Sequence, residues 1–251
     1  MKIIQITDAH LFNDPSKTKD NINHHDTFHQ CIDLAKKQKP DLVLATGDFV
    51  NDIDSAAYDY VVKGFEELNC PCHWVLGNHD EDPVLAKKCL ALGRNLSNQK
   101  QIITNNNWQI ILLDSQWNNE FAGYLDKQEI EFLTRCLEQC KLPTLIALHH
   151  NPVDMNNIAY EPINLSNAHE FFEAIKPYEK TQQIKLCLFG HVHHAYKKTQ
   201  QGINFYGCPS TCRQNVPNIT GFMRDKISAG IREVVLSTNG SYTTQVLRTG
   251  K

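Results

Sequence analysis

Aspartate, asparagine and histidine recur in this 251-residue chain at one kind of place, directly after a short apolar run. Residues 3–7 lead into Asp8-Ala9-His10, and residues 42–45 into Thr46-Gly47-Asp48. Residues 72–76 lead into Gly77-Asn78-His79-Asp80, residues 144–148 into His149-His150-Asn151-Pro152, and residues 184–189 into Gly190-His191-Val192-His193-His194. Each cluster alone has an ordinary reading, such as a capping Asp, a turn Asp beside Gly or a surface His. Together they offer two carboxylates, one carboxamide and four imidazoles: Asp8, His10, Asp48, Asn78, His149, His191 and His193. Seven donors exceed one ion's needs; if one carboxylate is shared they divide as four each over two cations. Mixed N/O ligation suits Mn, Fe, Zn or Co better than Ca or Mg. His149 directly continues its apolar run, which places His150 on the opposite face or behind the ligands.

Charge indicates what such a centre would do. Two divalent ions outweigh the two ligand aspartates, while Asn78 and neutral imidazoles add nothing, so the centre calls for an anion. Hydroxide between two such ions is available at neutral pH, and a substrate phosphate can use the remaining coordination. Asn78 binds metal without adding charge; His79 beside it is free to handle a proton. No Cys or Ser stands where a phosphoryl-accepting nucleophile would be needed, so direct attack by hydroxide is expected.

The elements that must position these groups alternate between strand and helix. Helical spacing runs from about residue 28 to 38, ended by Pro40, from 55 to 68 with Ser55 as cap, from 126 to 140 and from 167 to 175. Residues 13–23 read as a loop, and residues 102–114 as a hairpin turning on Asn105-Asn106-Asn107. Beyond residue 195 the glycines between β-like runs predict largely antiparallel strands, the last two a hairpin on Asn239-Gly240. Ligands gather outside the carboxyl ends of strands in α/β sheets, which is where all five clusters lie.

Composition narrows the setting. With 41% apolar residues and no linker-like segment, residues 1–251 are expected to form one domain. A net charge of −3 gives no reason to expect nucleic acid or a membrane surface as partner. The N-terminal segment does not read as a signal peptide, and no apolar run approaches a bilayer-spanning length. Nine cysteines, an odd number without CxxC spacing, point to reduced thiols in a cytoplasm.

In the order Asp8-x-His10, Gly47-Asp48, Gly77-Asn78-His79-Asp80, His149 and Gly190-His191-x-His193, the chain resembles the calcineurin-like metallophosphoesterase superfamily. Within it the chain looks most like the bacterial class III 3′,5′-cyclic nucleotide phosphodiesterases. Residues 5–12, 45–48, 112–116 and 209–212 carry that closer likeness.

The resemblance implies an α/β fold, a four-layer αββα sandwich, with Asp8, His10, Asp48 and His193 on a first metal. Asp48 bridges to a second, completed by Asn78, His149 and His191, with Fe and/or Mn as the expected ions and Zn or Co as alternatives. His79 would protonate the leaving ribose 3′-oxygen of cyclic AMP, giving the 5′-monophosphate. Asp80 either orients that imidazole or caps the helix starting near Asp82. Substrate contacts are expected from Asn51, Asn78, His79 and His193, with residues 151–157 and 210–214 forming the rim.

The expected partner is a small nucleotide, and the enzyme a cytoplasmic monomer or homodimer. Another small phosphodiester, phosphomonoester or pyrophosphate is the competing substrate class, and a non-catalytic interaction module the competing kind of protein. Asn151 departs from the group, which often has a third His there; the departure touches the rim and leaves the ligands intact.

Overall fold

Period-two alternation sorts the strand residues of the computed structural model onto two faces. The structure describes residues 1–104, 107–117, 120–217 and 219–250. The first sheet begins with β1 (Lys2–Ile6), which lies parallel to β4 (Leu42–Thr46), then β5 (Cys72–Val75) and β6 (Leu96–Ser97). Its other flank is closed antiparallel by β15 (Gly230–Leu236) and β16 (Tyr242–Arg248), so the last strands of the chain complete the sheet begun by the first.

The second sheet has parallel β8 (Gln109–Leu112), β9 (Thr144–Leu148), β10 (Ile184–Phe189) and β12 (Ile203–Gly207). Antiparallel edges β7 (Gln101–Ile103) and β11 (Tyr196–Gln200) flank them. The largely antiparallel pairing expected beyond residue 195 holds at β11–β12 and β15–β16, while β12 also runs parallel to β10 because β11 first carries the chain back along the sheet.

Ile3, Leu42, Leu44, Ile110, Leu112, Leu145, Ala147, Leu186 and Leu188 meet between the sheets. Their neighbours along the strands, including Ile4, Val43, Ala45, Ile111, Ile146 and Cys187, point outward and are covered by helices. Strands buried on both faces read as continuous apolar runs, which is why these segments show no polar alternation. Helices α1 (His24–Gln38), α2 (Ser55–Glu66) and α3 (Pro83–Leu90) cover the first sheet; α4 (Lys127–Gln139) and α5 (Ala168–Ile175) cover the second. The result is the αββα sandwich.

Local capping chemistry sets the helix starts. Asn23 accepts the Asp26 N–H ahead of α1, Asp82 those of Val84 and Leu85 ahead of α3, and Asp126 that of Glu129 ahead of α4. Ahead of α2 the cap is Asp54, one residue before the expected Ser55, and its carboxylate accepts the Ala56 N–H. Within residues 13–23 two short strands, β2 (Thr18–Lys19) and β3 (Ile22–Asn23), make a small hairpin. A second pairs β13 (Gln214–Asn215) with β14 (Arg224–Asp225). Of the turn expected at Asn105-Asn106-Asn107, Asn105 and Asn106 lie outside the described residues.

Candidate metal centre

The loops after β1, β4, β5, β9 and β10 converge at the carboxyl ends of both sheets, and all seven candidate ligands are buried there. Asp8 and His10 both sit in the left-handed region, with φ of 55° and 47°, as do Asp48 at 55°, His191 at 67° and His193 at 56°. Such backbone costs a non-glycine residue about 1–2 kcal/mol and persists only where surroundings over-determine it. Here they do: Asp8 N–H donates to Gly47 O and His10 N–H to Asp48 O, each at 3.0 Å, while His191 N–H donates to the Asp8 carboxylate at 3.1 Å.

Two glycines admit the close approach. A Cβ on Gly77 would stand 2.2 Å from Asp48 Oδ1, and one on Gly190 would stand 2.2 Å from Thr7 Oγ1.

The donors fall into two groups that share Asp48. One oxygen atom of each of Asp8 and Asp48 and one nitrogen of each of His10 and His193 all lie within 4.8 Å of one another. His10 Nε2 is 3.1 Å from His193 Nε2 and 3.5 Å from Asp48 Oδ2; His193 Nε2 is 3.3 Å from Asp8 Oδ1. On the other side, Asp48 Oδ1 is 3.4 Å from His149 Nε2, and Asn78 Oδ1 lies 3.2 Å from His149 Nε2 and 3.0 Å from His191 Nδ1. Donors bound at about 2.1 Å around one ion stand roughly 3.0–3.4 Å apart, so each group has spacing that would suit a metal ion, with Asp48 offering one oxygen to each.

Tautomers agree with that fit. His149 Nδ1 donates to Thr46 O at 2.6 Å and His193 Nδ1 to Arg213 O at 3.1 Å, leaving each Nε2 lone pair directed at a carboxylate. Burial works against a cation on either ring. The Asp48 carboxylate nonetheless raises His149 to about 9, and that of Asp8 raises His193 to about 10. Without metal these positions would hold protons; the arrangement calls for positive charge in either case. His191, buried beside His149, is pushed down to about 3 and stays neutral.

His79 stands at the edge of the group. Its backbone N–H donates to Asp48 Oδ1 at 2.8 Å, and its half-buried ring lies 4.7 Å edge-on from that of His10. Its ring nitrogens make no hydrogen bond among the described residues, and His79 lines a cavity of about 330 Å³ together with Asp48, Asn78, His191 and His193.

Asp80 does neither of the things expected of it. Its carboxylate accepts from the backbone N–H groups of Asp48 and Gly77 at 2.9 Å and Phe49 at 3.1 Å, and from the Tyr58 hydroxyl at 3.0 Å. It braces the loops carrying Asp48 and Asn78, while Asp82 caps α3. Burial, and then the Asp48 charge, push Asp80 up to about 7, against the pull of its donors.

Asn51 lies outside the lining of the cavity, its carboxamide receiving the Lys19 ammonium at 3.2 Å. Asn151 is buried and bonded to Val153 O and Asn164, so residues 151–157 support the rim from behind. His150 is buried with Nδ1 2.8 Å from Ser115 Oγ, its ring wedged 4.8 Å from those of both His149 and His191. Arg213, from the expected rim segment, lines the cavity together with Asp20, Phe121, Ile163, Asn215, Phe222 and Arg224, which sequence reasoning missed. Nothing local to those six marks them.

Comparisons with known proteins show the family and the fold. A model of the calcineurin-like phosphoesterase family matches residues 1–195. The chain is 32% identical over 251 residues to the 3′,5′-cyclic adenosine monophosphate phosphodiesterase CpdA of Haemophilus influenzae, covering 99% of this chain and 90% of that protein. It is 32% identical over 251 residues to a 3′,5′-cyclic-nucleotide phosphodiesterase of Nostoc sp., covering 99% and 92%. Among solved structures, a dimetal phosphatase from Danio rerio superposes with a TM-score of 0.67 at 13% identity, over 99% of each chain. With its two-sheet sandwich, its shared Asp48 and these relatives, the chain belongs to the calcineurin-like phosphoesterase family.

Proposed function

We propose that this protein hydrolyses 3′,5′-cyclic AMP to the 5′-monophosphate, acting throughout residues 1–251 as one catalytic unit. The observation that carries the reading is the division of Asp48, whose Oδ2 faces His10 and whose Oδ1 faces His149. When bound, two ions at these donors supply positive charge to the phosphate and lower the pKa of water so that hydroxide is available at neutral pH. Fe and/or Mn fit the mixed nitrogen and oxygen donors, with Zn or Co as alternatives.

The chain's own groups do the rest. Asp8 and Asp48 hold the ions, and Asn78 adds a donor without adding charge. His79, poised over the cavity and outside both donor groups, gives its proton to the departing 3′-oxygen. Asn78, His79 and His193, which line the cavity together, contact the phosphate in this reading. Full-length likeness to cyclic nucleotide phosphodiesterases supports the choice of substrate. A non-catalytic role would leave the intact donor set without a purpose. The nine free thiols suit a reducing cytoplasm, with the enzyme acting as a monomer or homodimer.

Steady-state comparison of cyclic AMP, cyclic GMP, 2′,3′-cyclic AMP and a phosphomonoester tests the proposal on protein dialysed free of metal and reloaded with Mn or Fe. Cyclic AMP should give the highest kcat/KM, activity should vanish without metal, and His79→Ala should keep its metal while losing about 100-fold or more in kcat. A phosphomonoester turned over as well as cyclic AMP would defeat the substrate assignment.

A further inference from the structure

Two large aromatic rings stand in solvent at the mouth of the metal cavity. Phe121 is 63% exposed and Phe222 58% exposed, yet both line the same cavity as Asn78, His79 and His193. Neither is a stray surface side chain. The Phe121 ring lies 6.3 Å from that of His79. Phe222 sits edge-to-face on Tyr160 at 5.0 Å, and the Tyr160 hydroxyl donates at 2.9 Å to Val192 O, between two metal-ligand histidines.

The backbone before Phe222 is clamped by the buried Asn157. Its Nδ2 donates to Gly221 O at 3.0 Å and its Oδ1 accepts the Gly221 N–H at 3.2 Å. Apolar rings kept in water at this mouth gain little for the fold, since their exposed faces contribute no burial.

The remaining wall carries two guanidiniums, Arg213 and Arg224, beside the Asp20 carboxylate, Ile163 and Asn215. Arg213 lies 3.6 Å from the Asp20 carboxylate, and Arg224 donates to the Asp20 carbonyl, so both guanidiniums are tethered to the tip of the β2–β3 hairpin. A ligand matching this mouth carries an anionic phosphate and a flat, apolar-faced ring system.

We propose that Phe121 and Phe222 are the surfaces on which the nucleobase of the substrate stacks, and that they select nucleotides over phosphodiesters lacking a base. The inference rests on the functional reading above and adds the residues that enforce it. Stacking engages the base in ground and transition states alike, so its loss raises KM more than it lowers kcat.

The test measures kcat/KM of the metal-loaded enzyme for cyclic AMP and for glycerophosphoethanolamine, an aliphatic phosphodiester. Variants are Phe121→Ala, Phe222→Ala, the double alanine variant, and Phe→Tyr at each position. Each alanine variant should lose about tenfold or more for cyclic AMP, chiefly in KM, with the aliphatic diester unchanged and the tyrosine variants near wild type. A wild-type preference for cyclic AMP that survives the double substitution would overturn the stacking role alone. So would equal losses on both substrates, which would mark the rings as structural. A wild-type enzyme with no preference for cyclic AMP would overturn the functional reading and the stacking role with it.

Discussion

Gly77→Ala is the sharpest perturbation the centre offers, because it adds one methyl group without altering charge, hydrogen bonding or any candidate ligand. The new Cβ would stand 2.2 Å from Asp48 Oδ1, 2.6 Å from Asp48 N and 2.7 Å from His149 Cε1. Ordinary carbon contacts begin near about 3.5 Å, so the shared carboxylate and the imidazole must each retreat by roughly 1 Å. Neither has room to do so. Asp48 N–H is held by Asp80 at 2.9 Å, and His149 Nδ1 by Thr46 O at 2.6 Å.

Overpacking of this kind costs about 1–3 kcal/mol of stability, and a 1 Å misplacement of reacting groups costs about 100-fold in rate. The expected variant therefore folds with a lowered melting temperature, binds fewer than two ions per chain by elemental analysis, and loses at least about 100-fold in kcat/KM. Gly93→Ala is the control. There the Cβ meets the flexible end of Leu96 at 2.7 Å, far from the centre, and metal content should not change. If Gly77→Ala held two ions and turned over within about threefold of wild type, Asp48 would not occupy this position in the working enzyme, and the bridging argument would fail.

Two further outcomes follow from the groups around the centre. Asp80→Ala strands three backbone N–H donors and the Tyr58 hydroxyl; at about 1 kcal/mol or more for each buried donor, urea unfolding should show a loss of at least about 3 kcal/mol, and a loss under about 1 would contradict the bracing role. His24 is buried with Nδ1 on His10 O, and burial holds it down at about 4. Its folded value lies below its unfolded value near 6.5, so the stability it contributes is present above that value and is lost as pH falls toward 4. In metal-free protein between pH 6 and 4.5, wild-type stability should fall faster than that of His24→Gln by about 1.4 kcal/mol per pH unit. Parallel slopes would show that His24 is not held neutral.

Some of this protein is legible in its sequence because it is local. Continuous apolar runs of strand length announce β1, β4, β5, β9 and β10, and the donor types at their ends announce metal. Asn239-Gly240 specifies the β15–β16 turn, and helical spacing marks α4 to within a residue at each end. Resemblance added the ligand grouping, which composition and spacing leave open.

What only the tertiary structure decided depends on residues far apart in the chain. The left-handed backbone at Asp8 and His10 is imposed by hydrogen bonds to Gly47 and Asp48, and His191 is held by Asp8, 183 positions earlier. The same holds for Asp80, which reads as a helix cap or a partner for His79 until the fold delivers four donors to it. The cavity mouth is built from Asp20, Phe121, Arg213 and Phe222, drawn from four separate loops. A side chain's type is written in the sequence, but the field, the contacts and the strain it meets are set by whatever the fold brings beside it.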